Sequence, residues 1–183
     1  SSGLMAEHVT ARRDGFDLPS LAQTIVGQQL STKAAATIWA RVADAFDVRD
    51  PRAYLAMSHD ELRALGLSAQ KVKYVHGLAQ AVLDDHLDFK SLKRADDAAV
   101  IAALTSLKGF GVWSAQMMLI FSLVRPHVWP SGDLGIQEGL RLYRKLKDRP
   151  DAVATERYGS KKFAGHETAA ALLLWRLKDG PRD

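Results

Sequence analysis

Apolar positions recur at helical spacing along most of this chain. Asp17-Leu18-Pro19 puts a capping residue and a proline at a helix start, and Leu21 and Ile25 continue one face. The run breaks near Gly27. Ser31 is placed to cap a second helix whose face reads Ile38, Trp39, Val42 and Phe46. Asp50-Pro51 opens a short segment. Ser58-His59-Asp60-Glu61 has the spacing of a capping box ahead of Leu62 and Leu65, and Gly66 ends that turn. Ser68 precedes a longer helix with Val72, Val75, Ala79 and Val82 on one side, and Asp96 or Asp97 precedes another through Leu104 to Leu107. Beyond Gly109 and Gly111 comes a nearly continuous apolar stretch from Trp113 to Leu123, a pattern that predicts burial on every side. Pro126 and Pro130 bracket a connector. Ile136, Leu140, Tyr143 and Leu146 make the next amphipathic face, and Ala169 to Leu177 a last helix. No alternating strand pattern competes, only short pieces such as His127-Val128-Trp129, so an all-α protein is expected.

Composition narrows the chemistry. A hydrophobic share of 47% over 183 residues is enough for a core in one domain or two small lobes. There is no cysteine, which excludes disulfides, thiolate nucleophiles and Cys-ligated metal or iron–sulfur centres. The formal charge of +4 permits a polyanionic partner without requiring one. No apolar run approaches a bilayer span, and Ser1-Ser2-Gly3 carry no signal-peptide pattern, so no membrane partner and a cytoplasmic protein are expected.

The turn between two helices at Leu107-Lys108-Gly109-Phe110-Gly111-Val112-Trp113-Ser114 has glycine at alternate positions. Such a turn can aim backbone amides at an anion, with a DNA phosphate the obvious one, or it can be an ordinary helix corner closed by a glycine. Spacing alone leaves both open.

Leu-x-Gly-x-Gly-x-Trp-Ser-Ala over 107–115 resembles the hairpin of the helix-hairpin-helix DNA glycosylase superfamily. Three further stretches match its 3-methyladenine DNA glycosylase II branch in order: Ile25-Val26-Gly27-Gln28-Gln29-Leu30-Ser31, Gly66-Leu67-Ser68-Ala69-Gln70-Lys71-Val72-Lys73-Tyr74, and Pro130-Ser131-Gly132-Asp133-Leu134-Gly135-Ile136-Gln137. The resemblance covers roughly residues 16 to 140. It implies a two-lobed all-α fold: a lobe of residues 29–130 containing the helix-hairpin-helix at 104–124, and a second lobe of 1–28 plus 131–183 carrying Asp133. The chain is too short for the N-terminal β-domain of the bacterial alkyladenine enzyme. The run Phe163-Ala164-Gly165-His166-Glu167-Thr168 departs from the family's Trp-x-Pro-x-Arg-Ser-type stretch.

The activity so implied is monofunctional excision of alkylated bases (3-methyladenine, 7-methylguanine) from double-stranded DNA, by a monomer that is nucleoid-associated if the cell is bacterial. Asp133 is the expected catalytic carboxylate, facing a sugar with oxocarbenium character. Its place before a helix alone favours an N-cap, the resemblance favours catalysis, and both roles can hold. Trp113 stands where strand-cleaving relatives carry a lysine nucleophile, so no abasic-site lyase activity is expected. Trp113, Phe16, Met117 and His166 are the expected base pocket, with Trp129 a further candidate. Trp113, Met117 and Trp129 also have a plain reading as core, and His166 one as surface. Gln28, Gln29 and Leu30 are expected to plug the duplex where a base is flipped out, and Lys108, Gly109, Gly111 and Ser114 to meet the backbone. No cofactor or catalytic metal is implied, although relatives hold a monovalent cation among the hairpin carbonyls. Two rival readings remain: a glycosylase for another damaged base, and a lesion-binding protein without catalysis.

Overall fold

A computed structural model describes residues 15–180. These residues form helices and loops, and no strand occurs among them. They divide into two compact units, at residues 15–115 and 116–180.

In the first unit lie α1 (Leu18–Gly27), α2 (Thr32–Ala45), α3 (Pro51–Ala56), α4 (His59–Ala64), α5 (Ala69–Leu83), α6 (Phe89–Leu92) and α7 (Asp97–Thr105). A short helix α8 (Val112–Met117) crosses the boundary between the units and runs into one π-helical stretch, Met118–Ser122. The second unit continues with α9 (Leu134–Arg144), α10 (Ala152–Lys162) and α11 (Glu167–Asp179).

Side-chain caps fix most helix starts. Asp17, Ser31, Asp50, Ser58, Ser68, Asp88, Asp96, Asp133 and Asp151 each accept a backbone N–H from the first turn they precede. Each such cap is worth about 1 kcal/mol. The capping box at Ser58 forms as its spacing predicts, and Asp17 makes a second one with Ser20.

The core of the first unit joins α1 (Leu21, Ala22, Ile25, Val26) to α5 (Val72, Val75, Leu78, Ala79) and to Tyr54, Val100 and Leu104. Helix α1 packs on α2 and α5. The expected lobes grouped residues up to 28 with 131–183. Instead, α1 belongs with 29–115, because its apolar face is buried against helices of that unit.

The second unit has its own core of Trp129, Ile136, Leu140, Ala170, Ala171 and Leu174, with Tyr158, Phe163 and Trp175 packed around it. Helices α9 and α11 approach closely at Gly139, where a side chain would run into the Leu174 carbonyl.

Candidate functional site

In the first unit the three resembling stretches converge through α5. Ser68 caps this helix, which places Lys71 and Tyr74 one turn apart on one face. The Lys71 ammonium donates to the carbonyls of Val26 (2.7 Å) and Gln28 (2.8 Å). Burial pushes its pKa below the usual lysine value. The lysine spans more than forty residues of sequence to hold the Gln28-Gln29 turn. Three positions on, the Tyr74 ring lies against Gly109, and its hydroxyl bonds the Gln70 amide. Gly109 has φ +99°, and a Cβ there would stand 2.5 Å from Tyr74 Cδ2. The hairpin therefore needs glycine at 109 twice over, for backbone and for contact.

Gln28 closes the arrangement by donating from Nε2 to the Gly109 carbonyl at 2.7 Å. Its side chain is thus a tie between turn and hairpin, not a free plug. Gln29 differs. It adopts the left-handed conformation at φ 58° and is exposed, as is Leu30. A non-glycine residue held there costs about 1 kcal/mol or more, and the Lys71 and Gln28 bonds on the residues just before it supply the constraint.

The hairpin tip presents Lys108, Gly111, Val112 and Trp113 to solvent. Trp113 is 51% exposed, so about half of its surface is open to solvent. Nothing lies within 4 Å of a Cβ built on Gly111, so no contact inside the protein requires glycine there. The carbonyl of Leu107 accepts from Phe110 N–H, and that of Gly109 from Gln28 Nε2. Among the described residues no cluster of His, Asp and Glu could hold a metal ion.

Two expected residues lie elsewhere. Phe16 is 3% exposed and meets Phe89 edge to face at 5.7 Å, so it is core of the first unit and offers no face to a base. Ser114 is 8% exposed, in the first turn of α8.

In the second unit Asp133 is the N-cap of α9. Its Oδ1 accepts from the Ile136 backbone N–H and from Trp175 Nε1, both at 2.8 Å. The carboxylate is therefore aimed by the start of its own helix and by an indole from α11. Gly135 makes room for that indole, since a Cβ there would be 2.8 Å from Trp175 Cδ1. Trp175 in turn stacks on Phe121, with centroids 5.9 Å apart and planes 26° from parallel. Gln137, buried, donates to the Ser131 carbonyl and steadies the loop that carries Asp133.

Trp175 and Phe121 were not among the expected site residues. Phe121 falls in the apolar stretch that predicts burial on every side and Trp175 in the last helix, and only the fold brings one of them against Asp133. Met117 is half-buried, and His166 is exposed at the start of α11 without capping it by its side chain. Trp129 is core: its indole donates to the Thr155 carbonyl and its ring packs on Phe163.

Known proteins share this framework. The chain is 32% identical over 160 residues to DNA-3-methyladenine glycosylase 1 of Schizosaccharomyces pombe, covering 85% of this chain and 70% of that one. It spans about half the length of two other curated relatives that it matches. The crystal structure of DNA-3-methyladenine glycosidase from Bacillus halodurans superposes with a TM-score of 0.84 at 34% identity, over 93% of this chain and 79% of that one. The Schizosaccharomyces pombe 3-methyladenine DNA glycosylase in complex with abasic DNA superposes with a TM-score of 0.77 at 29% identity, over 95% and 92%. The family described as HhH-GPD superfamily base excision DNA repair protein matches residues 22–164, from the α1 core through the hairpin to the loop before α11, and the chain belongs to that superfamily.

Proposed function

We propose that this protein is a monofunctional DNA glycosylase that removes alkylated purines from duplex DNA and leaves an abasic site. The observation that carries the reading is the carboxylate of Asp133, held on one oxygen by Ile136 N–H and Trp175 Nε1 within a chain of this family. Relatives named for 3-methyladenine excision support the substrate class.

Loss of the base leaves positive charge on the sugar. A carboxylate held in advance stabilises that charge without reorganising, and it can orient or deprotonate the attacking water. Alkylated purines are cationic or electron-poor and stack well on indole and phenyl faces, by about 1 to 2 kcal/mol when desolvated. Trp113, and the Phe121–Trp175 pair beside Asp133, are the candidate faces. The hairpin around Gly109 and Gly111 meets the phosphate backbone, and Gln29 with Leu30 fills the stack where the nucleotide leaves it. The protein acts as a monomer, and a cytoplasmic location, at the nucleoid in a bacterium, is part of the same reading.

A panel of duplexes carrying single alkylated, oxidised or deaminated bases tests the substrate class. Fast release should be confined to the alkylated set. Trp113 offers no amine for a Schiff base, so borohydride should trap no covalent complex and abasic strands should stay intact until treated with alkali. A trapped adduct at any lysine would overturn the monofunctional reading.

Gln29→Ala should keep the parental melting temperature, because the side chain is exposed. It should lower single-turnover excision from duplex by tenfold or more, and less from single strands, where no stack must be filled. Equal losses on the two substrates would remove the plug role.

A further inference from the structure

The positive charge of this chain is concentrated in one segment. Residues 141–162 hold eight Lys and Arg against three Asp and Glu, an excess of five where the whole chain has an excess of four. The rest of the sequence, hairpin included, is therefore close to neutral in sum.

The fold gathers part of this charge around a hollow. Arg144 at the end of α9 and Arg157, Lys161 and Lys162 of α10 line a cavity of about 300 Å³, together with Ala154 and Tyr158. No carboxylate lines it. The Arg144 guanidinium sits 4.5 Å from the centroid of the Tyr158 ring, so an aromatic face positions it in place of a counter-ion. Arg141, one turn earlier on α9, is instead paired with Glu138 at 2.7 Å. Among the described residues no ion pair engages the four cations of the hollow.

Cations in the last turns of α9 and α10 favour the helix dipoles, which accounts for Arg144, Lys161 and Lys162 singly. It does not account for Arg157, a turn earlier, or for two helices converging four like charges on one cavity. Mutual repulsion at that spacing is relieved when an anion enters.

We propose that this hollow is a second DNA-contact surface, binding phosphodiester oxygens away from the damaged nucleotide. The inference rests on the reading that the protein works on DNA. Asp133 caps one end of α9 and Arg144 lies eleven residues on, a rise of about 16 Å, or roughly five base-pair steps. The phosphates bound there belong either to the flank of the same duplex or to a neighbouring segment. In both cases the patch supplies salt-sensitive, sequence-independent affinity that keeps the enzyme on DNA between lesions.

The test uses the full chain with Arg157→Ala, Lys161→Ala and Lys162→Ala combined, binding undamaged duplexes of about 12 and about 30 base pairs over a range of salt. Each phosphate contact contributes about 0.9 to the slope of log K against log salt, so the slope should fall by about two to three. Affinity in dilute salt should drop at least tenfold, while single-turnover excision at saturating protein stays parental. Equal losses on both duplexes assign the phosphates to the flank, and a loss only on the longer one assigns them to a remote segment. A charge-keeping set, Arg157→Lys, Lys161→Arg and Lys162→Arg, should retain the parental slope. If it loses binding as well, the loss comes from damaged structure and the proposal fails. An unchanged slope in the alanine variant also overturns it, and is what a site for an acidic protein would give. Because binding is read on undamaged DNA, a parent that binds but never excises would remove the glycosylase reading and leave this test intact.

Discussion

Asp133→Asn is expected to abolish most excision while leaving the fold in place. The reason lies in the two bonds to Oδ1. Ile136 N–H and Trp175 Nε1 are both donors, and the carbonyl oxygen of asparagine can accept from both. Asparagine also caps a helix about as well as aspartate. The variant should therefore melt within a few degrees of the parent and still bind DNA containing an alkylated base. What it lacks is the negative charge facing the sugar and the capacity to take a proton from water, which should lower single-turnover excision by about two to four orders of magnitude. The most labile cationic lesions should lose least, because their bonds break with little help. Asp133→Ala separates the roles further. It leaves the α9 terminus uncapped and removes the acceptor of the half-buried Trp175 N–H, so it should be less stable than Asp133→Asn by about 1 to 3 kcal/mol. Near-parental excision by Asp133→Asn would reduce Asp133 to a cap.

Gly109→Val should be the most damaging of the hairpin substitutions. It forces a β-branched residue to φ +99° and drives its Cβ into the Tyr74 ring. The ring cannot simply withdraw, because it sits on the same face of α5 as Lys71, which holds the neighbouring turn. A loss of about 3 kcal/mol or more is expected, which for a chain of this size lowers Tm by roughly 6 to 12 °C. The change should also free Gln28 from the Gly109 carbonyl and loosen the Gln29 turn. Gly111→Ala is the informative contrast. Its Cβ meets nothing within 4 Å and its φ is not in the left-handed region, so the melting temperature should hold. Any loss of affinity by Gly111→Ala, if uniform over damaged and undamaged duplexes, reports contact with the backbone of the nucleic acid. Parental stability of Gly109→Val would contradict the packing described for the hairpin.

Much of this arrangement was legible in the sequence because local signals agreed with one another. Capping residues at Asp17, Ser31, Ser58, Ser68 and Asp96 precede apolar positions at helical spacing, and each marks a helix that forms. Helix α10 was not read, because its polar sequence buries only Thr155 and Gly159 and shows no apolar stripe. The place of α1 is not legible in the sequence, since which neighbour buries its face depends on packing and not on the pattern within it.

The candidate site divides in the same way. Asp133, Gln29, Gly109 and Trp113 occupy positions that the resemblance picked out, and Trp113 and Gln29 are exposed as a DNA-facing role requires. Phe16 was misread because an aromatic near a motif looks the same whether it packs inward or outward. Trp175 was missed because its bond to Asp133 joins residues 42 apart, and nothing in an apolar helix distinguishes the one indole that finds a carboxylate. Lys71 and Tyr74 were seen as a motif without a reason. The structure gives one, since they brace the turn and the hairpin from a single helix.

The most direct test of the central claim is the fate of one lesion. Parental protein in excess is mixed with a duplex containing a single 7-methylguanine, and the free base and the strand are followed by mass. The account predicts release of free 7-methylguanine with an equal amount of abasic, uncleaved strand, and a clearly slower release of both with Asp133→Asn. Tight binding with the lesion left in place would contradict it.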